Sequence, residues 1–302
     1  MHYTDLFKYL KLIISFKFVT LFFLTFVIIN GLAAKAIAEM NTLRIGTVAI
    51  PPSIGNPYRN TGPPHLFTWS ATFDGLTRFN KYGELIQWLA ISWENVDKLT
   101  WRIHLRDKVT FSNGEKFTSE SVITSINYLL SSKSSKEAVA REFDYIRSVR
   151  SINELTIEIT TKSAIPFLPR TLPILHIVEP KSWTKLGPEG FSKEPIGTGP
   201  FKLVSYSPGI LKYESFDSSW RAPNISKLEL IAVPDSFSRA QGVASGQLDI
   251  AISIGPDEAN LIKNNGGKAL SWPSASLWAI NFHHQQNGPF DNILVRKAIN
   301  LA

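Results

Sequence analysis

Residues 89–122 read LAISWENVDKLTWRIHLRDKVTFSNGEKFTSESV, and the changes of period inside this stretch set the organisation of the whole chain. From Leu99 to Arg106 the residues alternate. Leu99, Trp101, Ile103 and Leu105 fall on one side and Thr100, Arg102, His104 and Arg106 on the other, which predicts a half-buried strand. Asp107-Lys108 then turns the chain into a short second strand over 109–111, so a hairpin is expected. Ser112-Asn113-Gly114 supplies a further turn whose glycine tolerates positive φ. Val122, Ile123, Ile126, Leu129 and Leu130 follow at helical spacing, with Thr118 or Ser119 as the hydroxyl that caps the first free N–H groups.

Upstream, residues 43–50 read as a first strand closed by Pro51-Pro52. Residues 53–64, rich in Pro, Gly and Asn, are expected to form an irregular loop of the kind that reaches a ligand crevice in α/β domains. Residues 69–78 look helical. Downstream, a Ser/Lys-rich connection over 131–136 leads to a strand pair, 145–152 and 155–160, joined at Asn153-Glu154 and apolar on the face of Leu155, Ile157 and Ile159. Pro166, Pro169, Pro173 and Pro180 break up the passage to Glu194, as expected of a chain leaving one domain for another.

Gly197-Thr198-Gly199-Pro200 forces a turn ahead of a strand over 201–206. It lacks the Lys-Ser/Thr pair and the following helix of a phosphate-binding loop. Next come a strand over 228–233 and a helix capped at Asp235-Ser236, with Phe237, Ala240, Val243 and Ala244 inward and Gly246 as its stop. A strand over 248–252 and a helix opened by Pro256 and ended by Asn265-Gly266-Gly267 complete the alternation of a doubly wound lobe. A strand over 277–283 and a helix begun by Asp291-Asn292, carrying Leu294, Val295, Ala298, Ile299 and Ala302, close the sequence.

Of the 302 residues, 44% are hydrophobic and 19% charged, an ordinary globular composition that does not indicate disorder. The first 38 residues carry Lys8, Lys11 and Lys17 ahead of the apolar run 18–29 and an Ala36-Ile37-Ala38 site, the pattern of a secretory signal peptide. Setting them aside leaves 28 basic against 24 acidic side chains, a net of +4 in place of +7. Without a run of like charges or an aromatic-interleaved basic stripe, no nucleic-acid binding is read from that balance. There is no cysteine, hence no disulfide, thiolate metal site, cysteine nucleophile or lipid-modified cysteine at the cleavage point. An unlipidated exported protein is retained only behind an outer membrane, which points to a Gram-negative periplasm.

No catalytic constellation emerges. His283-His284 are adjacent in an expected strand and point to opposite faces, so they do not share a metal; no metal or cofactor is expected. No serine sits in a G-x-S-x-G elbow, and Glu94, Asp97 and Asp107 are accounted for by turns and caps, so an enzyme is not indicated. Trp93 and Trp101 fit the apolar face of their strands as core residues.

Several blocks together carry a family resemblance. FDGLTR at 73–78, LAISWE at 89–94, WRIHLR at 101–106, VTFSNG at 109–114, PIGTGPF at 195–201, GQLDIA at 246–251 and VRKAIN at 295–300 occur in the order seen in family 5 extracytoplasmic solute-binding proteins. The sequence resembles these receptors of ABC importers, which take up peptides, opines and nickel chelates. One departure is Ser121, where the family usually has an acid that completes a capping box, so a weaker helix start is expected.

The resemblance implies an α/β, two-lobed periplasmic-binding-protein fold of type II with a small inserted α+β domain. Lobe I would comprise 39–76 plus 193–271, the inserted domain 77–192, and 272–302 the start of lobe II. The second lobe would be largely missing, so these 302 residues alone are not expected to make a competent receptor. The function implied is capture of di- or oligopeptides for an ABC permease and its ATPase, as a monomer when complete. The alternatives are a non-binding fragment, or a receptor for an opine, nickel chelate or oligosaccharide. Position in crevice-facing segments makes Ser53, Asn56, Tyr58, Trp69, Trp278 and Asn281 the candidate ligand-binding residues.

The N-terminal pattern yields a first test. Protein recovered from the periplasm should have an intact mass that begins at Glu39; full-length chain in the inner membrane would contradict the cleavage site.

Overall fold

The computed structural model describes residues 41–52, 54–60, 62, 65–271, 282 and 288–301. Its elements run β1 (Thr42–Thr47), α1 (His65–Thr72), β2 (Thr77–Phe79), β3 (Leu85–Gln87), β4 (Ala90–Asn95), β5 (Thr100–Leu105), α2 (Ser119–Leu130), α3 (Ala138–Arg141), β6 (Ile146–Asn153) and β7 (Thr156–Thr161). They continue with α4 (Leu168–Thr171), α5 (Pro180–Phe191), β8 (Phe201–Ser207), β9 (Ile210–Ser215), β10 (Lys227–Ala232), α6 (Ser236–Ala244), β11 (Ile250–Ala251), α7 (Pro256–Asn264) and α8 (Ile293–Leu301). The chain divides into two compact units, Met1–Ala269 and Leu270–Ala302.

Two larger sheets organise the first unit. One has the order β11-β1-β10-β9-β8, with β1 parallel to β10 and β11 and the β8–β9–β10 meander antiparallel. Its register stacks apolar partners on one face: Leu43 opposite Leu228, Ile45 opposite Leu230, and Leu230 opposite Leu211. These side chains pack with Ala71, Phe201 and Tyr213.

The other sheet, β4-β5-β7-β6, is wholly antiparallel. Trp101, Ile103 and Leu105 of β5 are buried, as the alternation predicts, and Ile157 and Ile159 of β7 sit opposite Ile103 and Trp101. As an interior strand β7 is buried on both faces. Its buried Glu158 accepts from Arg102 Nη2 at 2.8 Å and is also bonded by Arg150. A buried carboxylate in a central strand is tolerated only with such partners. Helix α2 packs on β6 through a face that includes Val122, Ile126 and Leu129.

Several elements differ from expectation. Residues 99–106 do not pair with 109–111; β5 pairs with β4 and β7, which each offer a long ladder. Lys108, at φ 59°, directs the chain away, and residues 109–111 close their own small turn, with Phe111 N–H donating to Glu115 O and Phe117 N–H to Val109 O. The helix expected over 69–78 stops at Thr72, because Gly75 runs so close to Pro173 that a Cβ there would lie 2.5 Å from its carbonyl oxygen.

The proline-rich passage contains α5, begun by Glu179, whose carboxylate accepts from Lys181 and Ser182 N–H at 2.9 and 2.8 Å, with Pro180 at the first position. Gly187, at φ 65°, breaks that helix midway. Strand β9 returns after a Ser207-Pro208-Gly209 turn that sequence reading passed over. Phe237 faces out, 55% exposed, while Arg239 of the same helix is buried. At α2 the serine does the acid's work: Thr118 N–H donates to Ser121 Oγ at 3.2 Å. In the second unit Asn292 Oδ1 accepts from Leu294 N–H at 2.9 Å, which starts α8. The strand expected over 277–283 lies almost wholly outside the described residues.

The two sheets of the first unit meet at Asp74, in the segment between α1 and β2. This buried carboxylate accepts from Trp88 Nε1 (2.7 Å), Thr198 Oγ1 (2.8 Å), Trp220 Nε1 (3.1 Å) and Arg221 Nε (2.8 Å). Thr198 can reach it because its flanking glycines allow close approach. Cβ atoms at Gly197 and Gly199 would lie 2.0 Å from Thr72 O and 2.5 Å from Thr72 C, and Gly199 N–H donates to Thr72 O at 2.8 Å. Gly199→Ala should therefore cost about 2–3 kcal/mol, as overpacking does. In urea this lowers the midpoint by about 1 M, whereas Ser205→Ala, at an exposed strand position, should leave it within the error. Equal midpoints for the two variants would remove the close-packing account of the GTGP turn.

Candidate functional site

Because β10 and β11 both run parallel to β1, their carboxyl ends share one edge of the sheet, where α/β proteins place ligands. The loops there begin after Thr47, Ala232 and Ala251. Two of them are tied by Arg239 from α6. Its guanidinium donates to the carbonyls of Val233 (2.6 Å), Pro234 (2.9 Å), Ile252 (3.0 Å) and Ser253 (2.6 Å). Glu258 adds a second tie, accepting from Gly255 N–H at 3.1 Å and Ser236 Oγ at 2.5 Å.

The third loop, after β1, carries the concave site. Asn56 Oδ1 accepts from Tyr58 N–H at 3.0 Å, a local turn, and Asn56 Nδ2 donates to Glu137 Oε1 at 3.2 Å. Glu137 is buried, receives the Tyr128 hydroxyl at 2.8 Å and pairs with Arg59 at 3.2 Å. Arg59 reaches on to Glu189 at 2.7 Å, and that bond, more than any other influence, raises its proton affinity. Pro52, Asn56, Arg59, Asn60, Glu189 and Ser192 line a pocket of about 430 Å³. Its floor carries fixed charges of both signs, a surface suited to a polar, zwitterionic or chelated solute more than to a hydrocarbon. Among the described residues no group of three or more His, Asp or Glu side chains is placed to hold a metal ion.

The residues expected to bind ligand are placed as follows. Asn56 lines the pocket, with both its amide groups engaged by protein. Tyr58 is fully buried; its hydroxyl donates to His176 O at 2.8 Å and its ring lies 5.3 Å from Trp183 and 5.8 Å from Tyr128. Trp69 is 1% exposed, edge-on to the His176 ring at 6.0 Å. The side chains of Tyr58 and Trp69 are thus in the core and offer no open ring face. Ser53, Trp278 and Asn281 lie outside the described residues. Arg59, Asn60 and Glu189 were missed. The available signal was Arg59, a charge following Tyr58 in an otherwise uncharged loop.

The sequence model described as "Bacterial extracellular solute-binding proteins, family 5 Middle" matches residues 84–302. The chain belongs to this family. It is 30% identical over 220 residues to the nickel-binding periplasmic protein of Escherichia coli K12, covering 68% of this chain and 40% of that one. To the glutathione-binding protein GsiB of Pectobacterium atrosepticum it is 29% identical over 238 residues, covering 76% and 46%. The crystal structure of NikZ from Campylobacter jejuni in complex with Ni(L-His) superposes with a TM-score of 0.67 at 27% identity, over 74% of this chain and 45% of that one. The chain thus spans under half the length of these relatives, and its mixed α/β architecture is that of periplasmic binding proteins.

Burial at this site has a pH signature. His176, which anchors Tyr58, has its pKa lowered from 6.5 to about 4, chiefly by burial, with the Asp74 charge and the Ile174 carbonyl acting the other way. The unfolded chain therefore binds a proton before the folded one does, and stability contributed by this ring, present above pH 6.5, is lost as pH falls toward 4. The loss is about 3 kcal/mol. A His176→Phe variant should show a shallower fall in urea midpoint between pH 6.5 and 4. Parallel curves for the two proteins would contradict a neutral buried imidazole.

Proposed function

We propose that the protein is the extracytoplasmic solute-binding component of an ABC importer, capturing short peptides and delivering them to the membrane permease and its ATPase. The observation that carries this is the family match over residues 84–302, joined to a polar pocket at the carboxyl-end edge of a partly parallel sheet. On this reading the protein is exported to the periplasm of a Gram-negative cell, acts as a monomer and needs no cofactor. The pocket after β1, between that loop of lobe I and residues 189 and 192 of the inserted domain, contributes one wall of the cleft, with Arg59 and Asn60 facing solute and the buried Asn56 fixing the loop beneath them. Ser53, Trp278 and Asn281 are further contacts by their place in the family resemblance, and Tyr58 and Trp69 support the wall from behind. Residues 39–76 with 193–271 form lobe I, 77–192 the inserted domain, and lobe II begins at 272. Hinged receptors of this kind close over the solute and present the closed form to the permease.

Peptide is favoured because Arg59 and Glu189, both on the pocket lining, carry opposite charges that complement those at the ends of a short peptide. Glutathione, the solute named for one relative, is itself a tripeptide. A second reading, a nickel chelate, is favoured by the names of two other relatives.

Calorimetric titration of the full chain with a dipeptide, glutathione and nickel-histidine separates the readings. Arg59→Ala should weaken the preferred solute by about 10-fold, roughly 1.4 kcal/mol. Binding of none of the three by a chain that carries both lobes would overturn the proposal, and preference for the nickel complex would replace peptide with chelate.

A further inference from the structure

A separate cavity of about 210 Å³ opens beside Asp74 and shares no lining residue with the pocket behind β1. Ser70, Asp74, Arg78, Trp88, His176 and Arg221 line it, and the exposed Ser70 and Arg78 form its rim. Two guanidinium groups approach one indole here: Arg78 lies 4.5 Å and Arg221 5.5 Å from the centroid of Trp88. Their charges are not balanced. Arg221 pairs with Asp74 at 2.7 Å, and its Nη2 also donates to Ser70 O at 2.9 Å. The Asp74 carboxylate is already shared among four donors.

Among the described residues Arg78 has no carboxylate at ion-pair distance. Burial and the neighbouring Arg221 charge both lower its proton affinity, against a weaker pull from Asp74. On another wall stands His176, 95% buried, whose Nδ1 has no hydrogen-bond partner. A neutral ring with Nδ1 protonated supplies one donor and adds no charge. The cavity therefore holds one net positive charge and the unpaired guanidinium of Arg78, with the His176 ring as a neutral neighbour, beside an indole wall that limits screening by water.

We propose that this cavity is a binding site for a small oxyanion, held by the Arg78 guanidinium with Arg221 and His176 at its sides. A guanidinium presents paired N–H groups in a fork that matches two oxygens of a carboxylate or phosphate. The volume accommodates such a group together with some of its water: at about 30 Å³ per water it holds roughly seven waters, too few for an extended peptide. Bound there, the anion neutralises the repulsion between Arg78 and Arg221 and braces β2 against the Asp74 junction. The inference is independent of which solute occupies the pocket behind β1.

The test uses the full chain at pH 7 and reads tryptophan fluorescence and thermal midpoint against sodium phosphate and sodium acetate, each matched for ionic strength with sodium chloride. A ligand that binds only the folded state raises the midpoint as its concentration passes Kd. The expected result is a saturable fluorescence change with a rise in midpoint beyond that in chloride, weakened at least 10-fold in Arg78→Gln and retained in Lys81→Gln. Response to phosphate alone assigns a tetrahedral ligand, and response to acetate alone a carboxylate; either supports the site. Equal titrations for wild type and Arg78→Gln, equal weakening in both variants, or no effect beyond chloride overturns it.

Discussion

A single buried carboxylate, Asp74, fixes the geometry of the first unit. An ionised carboxylate removed from water costs several kcal/mol unless its lone pairs are filled. Here they are filled by side chains from three distant stretches: Trp88 before β4, Thr198 before β8, and Trp220 and Arg221 after β9. One stretch leads into the four-stranded sheet and the others flank strands of the mixed sheet, so the hydrogen bonds that solvate the charge also hold the two sheets in place. Charge satisfaction and domain assembly are the same event. Gly197 and Gly199 are the steric condition for it, since only a bare backbone lets Thr198 come within reach.

Residue patterns in the sequence report local periodicity well and long-range partnership poorly, and the outcome follows that division. Strands whose alternation is strong, such as Trp101-Ile103-Leu105 and Ile157-Ile159, lie where the pattern puts them. Partner choice was not legible: β5 took β4 and β7, because ladder length, which no single stretch encodes, decides pairing. Helix α5 was hidden by prolines that look like breakers, although Glu179-Pro180 is a sound start signal. Gly187-Pro188 does interrupt the helix, but only at its middle. At Ser121 a hydroxyl replaced an acid without loss of the backbone bond it had to accept.

For the candidate site the loop after β1 was legible as a location and its side chains were not. Aromatic residues in a crevice-facing loop invite assignment to ligand, yet Tyr58 and Trp69 are drawn inward by Tyr128, Trp183 and His176, an attraction that depends on segments 70 to 125 residues away. What remains at the pocket is polar: Asn56, Arg59, Asn60 and Glu189. Their grouping around the buried Glu137 is a tertiary fact, since Arg59 and Glu137 share no sequence pattern. The family match supplies the functional frame, and the charges supply the chemistry within it.

The pairing of β1 carries a kinetic meaning. Its hydrogen-bonded neighbours are β10 and β11, and it is pinned to Asp249, 205 residues away, by Arg44, whose main-chain N–H donates at 2.7 Å and whose guanidinium donates through Nε and Nη2 at 3.1 and 3.3 Å. An amino-terminal strand of this kind has nothing to pair with until nearly the whole unit has left the ribosome. Closing so long a loop is entropically slow. Strand β1 is thereby left unpaired until β10 and β11 have formed, and the mixed sheet locks last along the seams that join it to them.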